Sequence, residues 1–90
     1  MSAVRQPVQI TNRRGLHARA SAKFVTLASA LPLEVSVEKD GSRVTGTSIM
    51  GLMMLGAAKG DTIVISAEGD GAAGAVAQLV ALVEDRFGED

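Results

Sequence analysis

The stretches of this chain that alternate like β-strands carry apolar residues on one side only. In residues 4–10, Val4, Val8 and Ile10 alternate with Arg5, Pro7 and Gln9, and farther on Leu33, Val35 and Val37 alternate with Glu34, Ser36 and Glu38. Strands so patterned bury one face and wet the other, which predicts a mostly antiparallel sheet with helices on one side and water on the other. Pro7 cannot donate to a ladder, so the first strand belongs at a sheet edge. The chain has 90 residues. A domain of that size buries roughly 60–65% of the surface its unfolded form exposes, enough for one core but not for a deep cofactor pocket. Residues 1–90 are therefore read as a single domain whose chemistry lies at its surface.

Between the strands the period changes. After the turn-like residues 11–15, the apolar positions Ala20, Phe24, Leu27, Ala28 and Leu31 predict a helix over 18–30, ended by Pro32. Asp40-Gly41 supplies the positive-φ pair of a tight hairpin leading into a short strand at 43–45. Thr47 or Ser48 can cap a short helix over 48–55, closed by Gly56. Residues 62–67 are rich in β-branched side chains and read as another strand. Asp70 is expected to cap a last helix whose apolar stripe is Val76, Leu79, Val80, Val83 and Phe87. The result is βαββαβα, an α+β open-faced two-layer sandwich with three helices on one face.

Several function classes fall away on composition. There is no Cys and one His, which excludes disulfides and thiolate metal sites and leaves no expected metal or cofactor. The weakly polar stretches 49–58 and 71–83 fall short of the ~20 residues that span a bilayer, and the first ten residues lack a signal-peptide pattern, so a cytoplasmic protein without membrane insertion is expected. Two Phe and no Tyr or Trp provide no stacking platform for bases, and Gly71-Ala72-Ala73-Gly74 resembles a phosphate-clamping GxxG in spelling while sitting beside Glu68 and Asp70. Nucleic acid is not an expected partner.

The net charge of −1 conceals an uneven distribution: residues 1–33 hold Arg5, Arg13, Arg14, Arg19 and Lys23 and no acid, while all ten acids follow. His17 lies in the cationic part, at the point where a loop becomes a helix, with Gly15 allowing the chain to turn just before it. The first turn of a helix leaves N–H groups unpaired and carries roughly half a positive charge, so it attracts anions. The same field disfavours imidazolium, and a neutral ring nitrogen can accept a phosphoryl group. The amides of Ala18 and Arg19 and the Arg19 guanidinium can hold the phosphate, with charge-assisted bonds of about 1.5–3 kcal/mol each. Arg13, Arg14 and Lys23 can steer an acidic partner. The plainer reading is that His17 is a helix cap on a solvated basic face. Against it, helix N-termini carry cations only reluctantly, so a basic surplus there argues for an anion. Ser21 beside His17 suggests a hydrolase, but no acid precedes Glu34 to orient the ring and no nucleophile elbow is present.

Gly15-Leu16-His17-Ala18-Arg19, followed by Ser48-Ile49-Met50-Gly51-Leu52-Met53-Met54-Leu55-Gly56, resembles the HPr family, the histidine-containing phosphocarriers of the bacterial phosphoenolpyruvate-dependent phosphotransferase system (PTS). The resemblance spans essentially the whole chain. It implies a four-stranded sheet in the order 1-4-2-3. It further implies that His17 accepts a phosphoryl group on Nδ1 from Enzyme I and passes it to an Enzyme IIA-type acceptor, with Arg19 stabilising the phosphate. Such a protein is a stoichiometric carrier, not a free-standing enzyme, and is expected to act as a monomer. Ala20 departs from the family's usual Pro, leaving one more free N–H and a looser helix start.

The short helix carries apolar side chains around most of its circumference, more than a one-sided domain can bury. Leu52 and Leu55 are assigned to the core, and Ile49, Met50 and Met53 to an exposed partner-binding patch in which methionine adapts to differing surfaces. Ser48 is first a helix cap. The resemblance adds that Ser48 is the family's regulatory serine, the substrate of HPr kinase/phosphorylase, where a phosphate would set charge beside the patch.

Overall fold

Residues 3–89 are described by the structure, a computed structural model. Strands β1 (Ala3–Gln9), β2 (Val35–Lys39), β3 (Ser42–Thr45) and β4 (Thr62–Glu68) form one antiparallel sheet in the order β1-β4-β2-β3. Helices α1 (Ala18–Ser29), α2 (Ile49–Met54) and α3 (Ala72–Glu84) cover one face. The chain follows the expected βαββαβα order and adds one turn of 3-10 helix, Arg86–Gly88, after α3.

Alternation along the strands decides which face is covered. Ile63 and Ile65 of the inner strand β4 are fully buried, paired across the sheet with Val8 and Val37 respectively, and Phe24 of α1, Leu52 of α2 and Leu79 of α3 close over them. The opposite face is open to water, with Arg5 and Glu38 meeting at 3.2 Å across it. Pro7 lies on the edge strand, where a missing donor does least harm. Asp40 and Gly41 turn the β2–β3 hairpin with both φ angles positive, as that two-residue loop requires.

Two expectations at the C-terminal end need correction. Asp70 does not cap α3: the N-cap is Gly71, held at φ 83 with no side-chain cap bond, a conformation that glycine reaches without a Cβ penalty. Phe87 does not extend the α3 stripe either, because α3 stops at Glu84 and both Arg86 and Phe87 take positive φ. Phe87 still reaches the core and is fully buried. Burying a phenyl ring contributes about 3 kcal/mol and the Lys23 Nζ bond to the Phe87 carbonyl at 2.6 Å adds to it, which offsets the roughly 1–2 kcal/mol cost of each left-handed residue. The chain therefore doubles back past α3 instead of continuing it. Smaller shifts at element ends follow the same pairing. Ile10 lies just beyond β1 yet exchanges backbone bonds of 2.8 Å with the Gly60–Asp61 segment.

Candidate functional site

The loop before α1 is shaped by one close approach. Gly15 sits at φ +62, and a Cβ there would lie 2.3 Å from the Ala57 carbonyl oxygen, so no other residue fits. The next amide, Leu16 N–H, donates to that same carbonyl at 3.0 Å, and the Leu16 side chain is buried. This clasp fixes the chain one residue before His17 and ties it to the segment following α2.

His17 is the N-cap residue of α1, with extended backbone (φ −72, ψ 178) and no side-chain bond to the helix amides. Intrahelical bonding begins with Ser21 N–H donating to the His17 carbonyl at 2.9 Å. The N–H groups of Ala18, Arg19 and Ala20 therefore have no carbonyl within the helix to satisfy them. Ala18 and Arg19 are exposed, whereas Ala20 is fully buried. Proline at position 20 would remove one of those donors; alanine keeps it. The ring of His17 is 15% exposed, neither sealed in nor free in water.

The imidazole Nε2 lies 2.8 Å from Oε1 of Glu89, a residue 72 positions away. No acid close to His17 in the sequence orients the ring; the one that does lies at the far end of the chain. Asn12, fully buried, donates Nδ2 to the same Glu89 oxygen at 3.1 Å and to the Gly15 carbonyl at 2.9 Å, while its Oδ1 is buried without a partner among the described residues. These bonds, that from His17 foremost and that from Asn12 next, hold the Glu89 carboxyl below the usual glutamate range, against an opposing effect of burial. No local sequence signal marks Glu89 or Asn12 as members of the site.

The other expected residues are placed as follows. Ser21 is buried and its hydroxyl donates to the Leu16 carbonyl at 3.1 Å, so it supports the loop and is unavailable as a nucleophile. Arg13, Arg14, Arg19 and Lys23 are exposed around the start of α1. Among the described residues, Arg19 makes no side-chain hydrogen bond or ion pair and is not held against His17. No group of three or more His, Cys, Asp or Glu side chains is arranged to hold a metal among the described residues.

The second region is α2. Ser48 is its N-cap, and Oγ accepts from Gly51 N–H at 3.0 Å. Leu52 and Leu55 point into the core, while Ile49, Met50 and Met53 are exposed, as expected, and Met54 with them, up to 70% for Met50 and 80% for Met54. The four side chains line one shallow apolar hollow. α2 packs against α1, so this hollow and the His17 loop belong to neighbouring elements.

Comparison with known proteins follows the same lines. Residues 4–85 match the family model PTS-HPr, described as the PTS HPr component phosphorylation site. Phosphocarrier protein HPr of Neisseria meningitidis serogroup A is 50% identical over 86 residues, covering 96% of this chain and 97% of that protein. The HPr of Cupriavidus necator is 44% identical over 80 residues, 89% of this chain and 90% of the relative. Among solved structures, HPr-C-His from Thermoanaerobacter tengcongensis superposes with a TM-score of 0.89 at 44% identity, covering 100% of this chain and 99% of that one.

Proposed function

The chain belongs to the HPr family of PTS phosphocarriers, and from that premise we propose that His17 accepts a phosphoryl group on Nδ1 from Enzyme I and delivers it to an Enzyme IIA-type acceptor. The observation that carries this reading is the placement of the sole histidine at the N-cap of α1 with no capping bond of its own. An anion attached to that ring meets helix amides that lack helical partners and the positive end of the helix dipole. The Nε2 edge is occupied by Glu89, which favours Nδ1 as the accepting nitrogen.

Phosphoryl transfer asks a protein mainly for position and charge stabilisation. The Gly15–Ala57 clasp supplies position. Charge stabilisation comes from the N–H groups of Ala18 and Arg19 and from the Arg19 guanidinium, which is exposed and swings onto the phosphate once it is there. Arg13, Arg14 and Lys23 steer acidic partner surfaces, and the hollow of Ile49, Met50, Met53 and Met54 docks them. The protein acts as a stoichiometric carrier, a cytoplasmic monomer needing no cofactor; no helix among the described residues is long and apolar enough to cross a membrane.

Ser48 is the regulatory position in this reading, phosphorylated by HPr kinase/phosphorylase. Its Oγ already accepts from an α2 amide, so a phosphate there suits the helix start while placing a dianion beside the docking hollow. The decisive experiment is labelling with phosphoenolpyruvate and Enzyme I. The parent takes one acid-labile phosphoryl group and gives it up to an Enzyme IIA-type acceptor. A parent chain that takes no label refutes the proposal.

A further inference from the structure

Four observations at the C-terminal end remain unexplained by the carrier role alone. Phe87 is fully buried although Arg86 and Phe87 both take left-handed φ; Lys23 Nζ ties the Phe87 carbonyl at 2.6 Å; Glu89 then lies 2.8 Å from His17 Nε2; and Asn12, itself fully buried, holds the same carboxylate oxygen. An anchored strap, strained at two positions, ends by presenting one carboxylate to one edge of the imidazole.

We propose that Glu89 is a positioning residue for phosphoryl transfer, one that keeps the His17 proton on Nε2 and thereby presents the lone pair of Nδ1 to phosphorus. The inference rests on the phosphocarrier reading and deepens it. An ionised carboxylate only accepts hydrogen bonds, so the 2.8 Å contact requires Nε2 to be the donor. In a neutral ring the other nitrogen is then necessarily unprotonated. As the Nδ1 lone pair forms the N–P bond, the donor's own bond to phosphorus breaks and its electron pair leaves with the donor. The Nε2 proton stays in place, so the ring becomes a phosphorylated imidazolium. The Glu89 carboxylate faces that new positive charge, and in the onward step the protonated ring is the better leaving group. Asn12 and Lys23 keep the carboxylate in place, and Glu84, Asp85 and Arg86 line the shallow surface hollow shared with Glu89.

The test compares the full-length parent with Glu89→Ala and Glu89→Gln by 15N NMR of the unphosphorylated ring, at a pH where it is neutral, and by the pH profile of transfer from Enzyme I. The parent shows the Nε2–H tautomer essentially alone. Glu89→Ala shows both tautomers and transfers about three- to tenfold more slowly across the pH profile. Glu89→Gln, whose Oε1 still accepts from Nε2–H, restores the tautomer and recovers only part of the rate, because it lacks the charge. An unchanged tautomer distribution or an unchanged rate in Glu89→Ala overturns the proposal. The NMR comparison needs no phosphate, so it decides whether Glu89 sets the His17 tautomer separately from whether the parent accepts label, and the two failures are distinguishable.

Discussion

The His17 loop and α2 are built on opposite plans. α2 is self-sufficient: its cap Ser48, its core anchors Leu52 and Leu55 and its exposed face all lie within eight consecutive residues, and its capping bond is local. The His17 loop is assembled from afar, by Ala57 against Gly15, by Glu89 against Nε2, and by Lys23 holding the strap that carries Glu89. The proposed docking face needs only to be exposed and adaptable, which a short helix provides alone. A group that must meet phosphorus in one orientation needs restraint from several directions, which adjacent residues along a chain cannot supply.

Substitutions that separate the two plans differ widely in size. The largest effect is expected from His17→Ala, which abolishes acid-labile labelling by Enzyme I while leaving the far-UV circular dichroism close to the parent's and lowering the urea midpoint only modestly, through loss of the bond to Glu89. Next is Gly15→Ala. It must place a Cβ against the Ala57 carbonyl at positive φ, and a loss of about 2–5 kcal/mol in urea unfolding is predicted, with a fall in transfer rate beyond what the unfolded fraction explains. A Gly15→Ala protein as stable and as active as the parent would remove the distant-clasp half of the comparison.

Changes in α2 should act on docking alone. Replacing Met50 and Met53 by Ser is expected to raise KM for Enzyme I roughly tenfold with kcat nearly unchanged, the signature of lost uniform binding. Ser48→Asp should weaken docking in the same sense with little change in stability. A fall in kcat with KM unchanged would mean that α2 shapes the reacting geometry, and the two regions would no longer be separable.

The smallest predicted effect concerns pH. Glu89 titrates lower in the folded protein than in the unfolded chain, chiefly through its bonds from His17 and Asn12. A depressed carboxyl adds stability above its unfolded value and gives that stability up as pH falls through the folded one. Urea midpoints of Glu89→Gln should therefore lie slightly below the parent's near neutral pH and converge with them as pH falls below the ordinary glutamate range. A gap that stays constant over that range would show that the carboxylate charge contributes nothing.

The same division explains what could be read from the sequence. The sheet, its open face and the edge position of Pro7 follow from alternation and donor chemistry, both local. A cap at Thr47 or Ser48 follows from hydroxyl chemistry at a helix start, and the buried Leu52 and Leu55 and the exposed Ile49, Met50 and Met53 follow from counting apolar side chains on a two-turn helix. His17 is visible because a lone histidine at a loop-to-helix junction lies among bases. Glu89 and Asn12 are not visible. Their partners are set by tertiary packing, and Phe87, which places the strap, is the residue whose spacing imitates one more turn of α3. The error over Asp70 has a similar cause: a good capping residue stands one position ahead of a glycine that takes the cap by adopting φ 83.

The atom that carries the phosphoryl group is the most direct test. In 15N-labelled protein charged by Enzyme I and phosphoenolpyruvate, 31P–15N correlation should show a single phosphorus bonded to Nδ1 of His17, with the Nε2 proton retained. Phosphorus on Nε2, on a serine, or nowhere on a properly folded chain would contradict it.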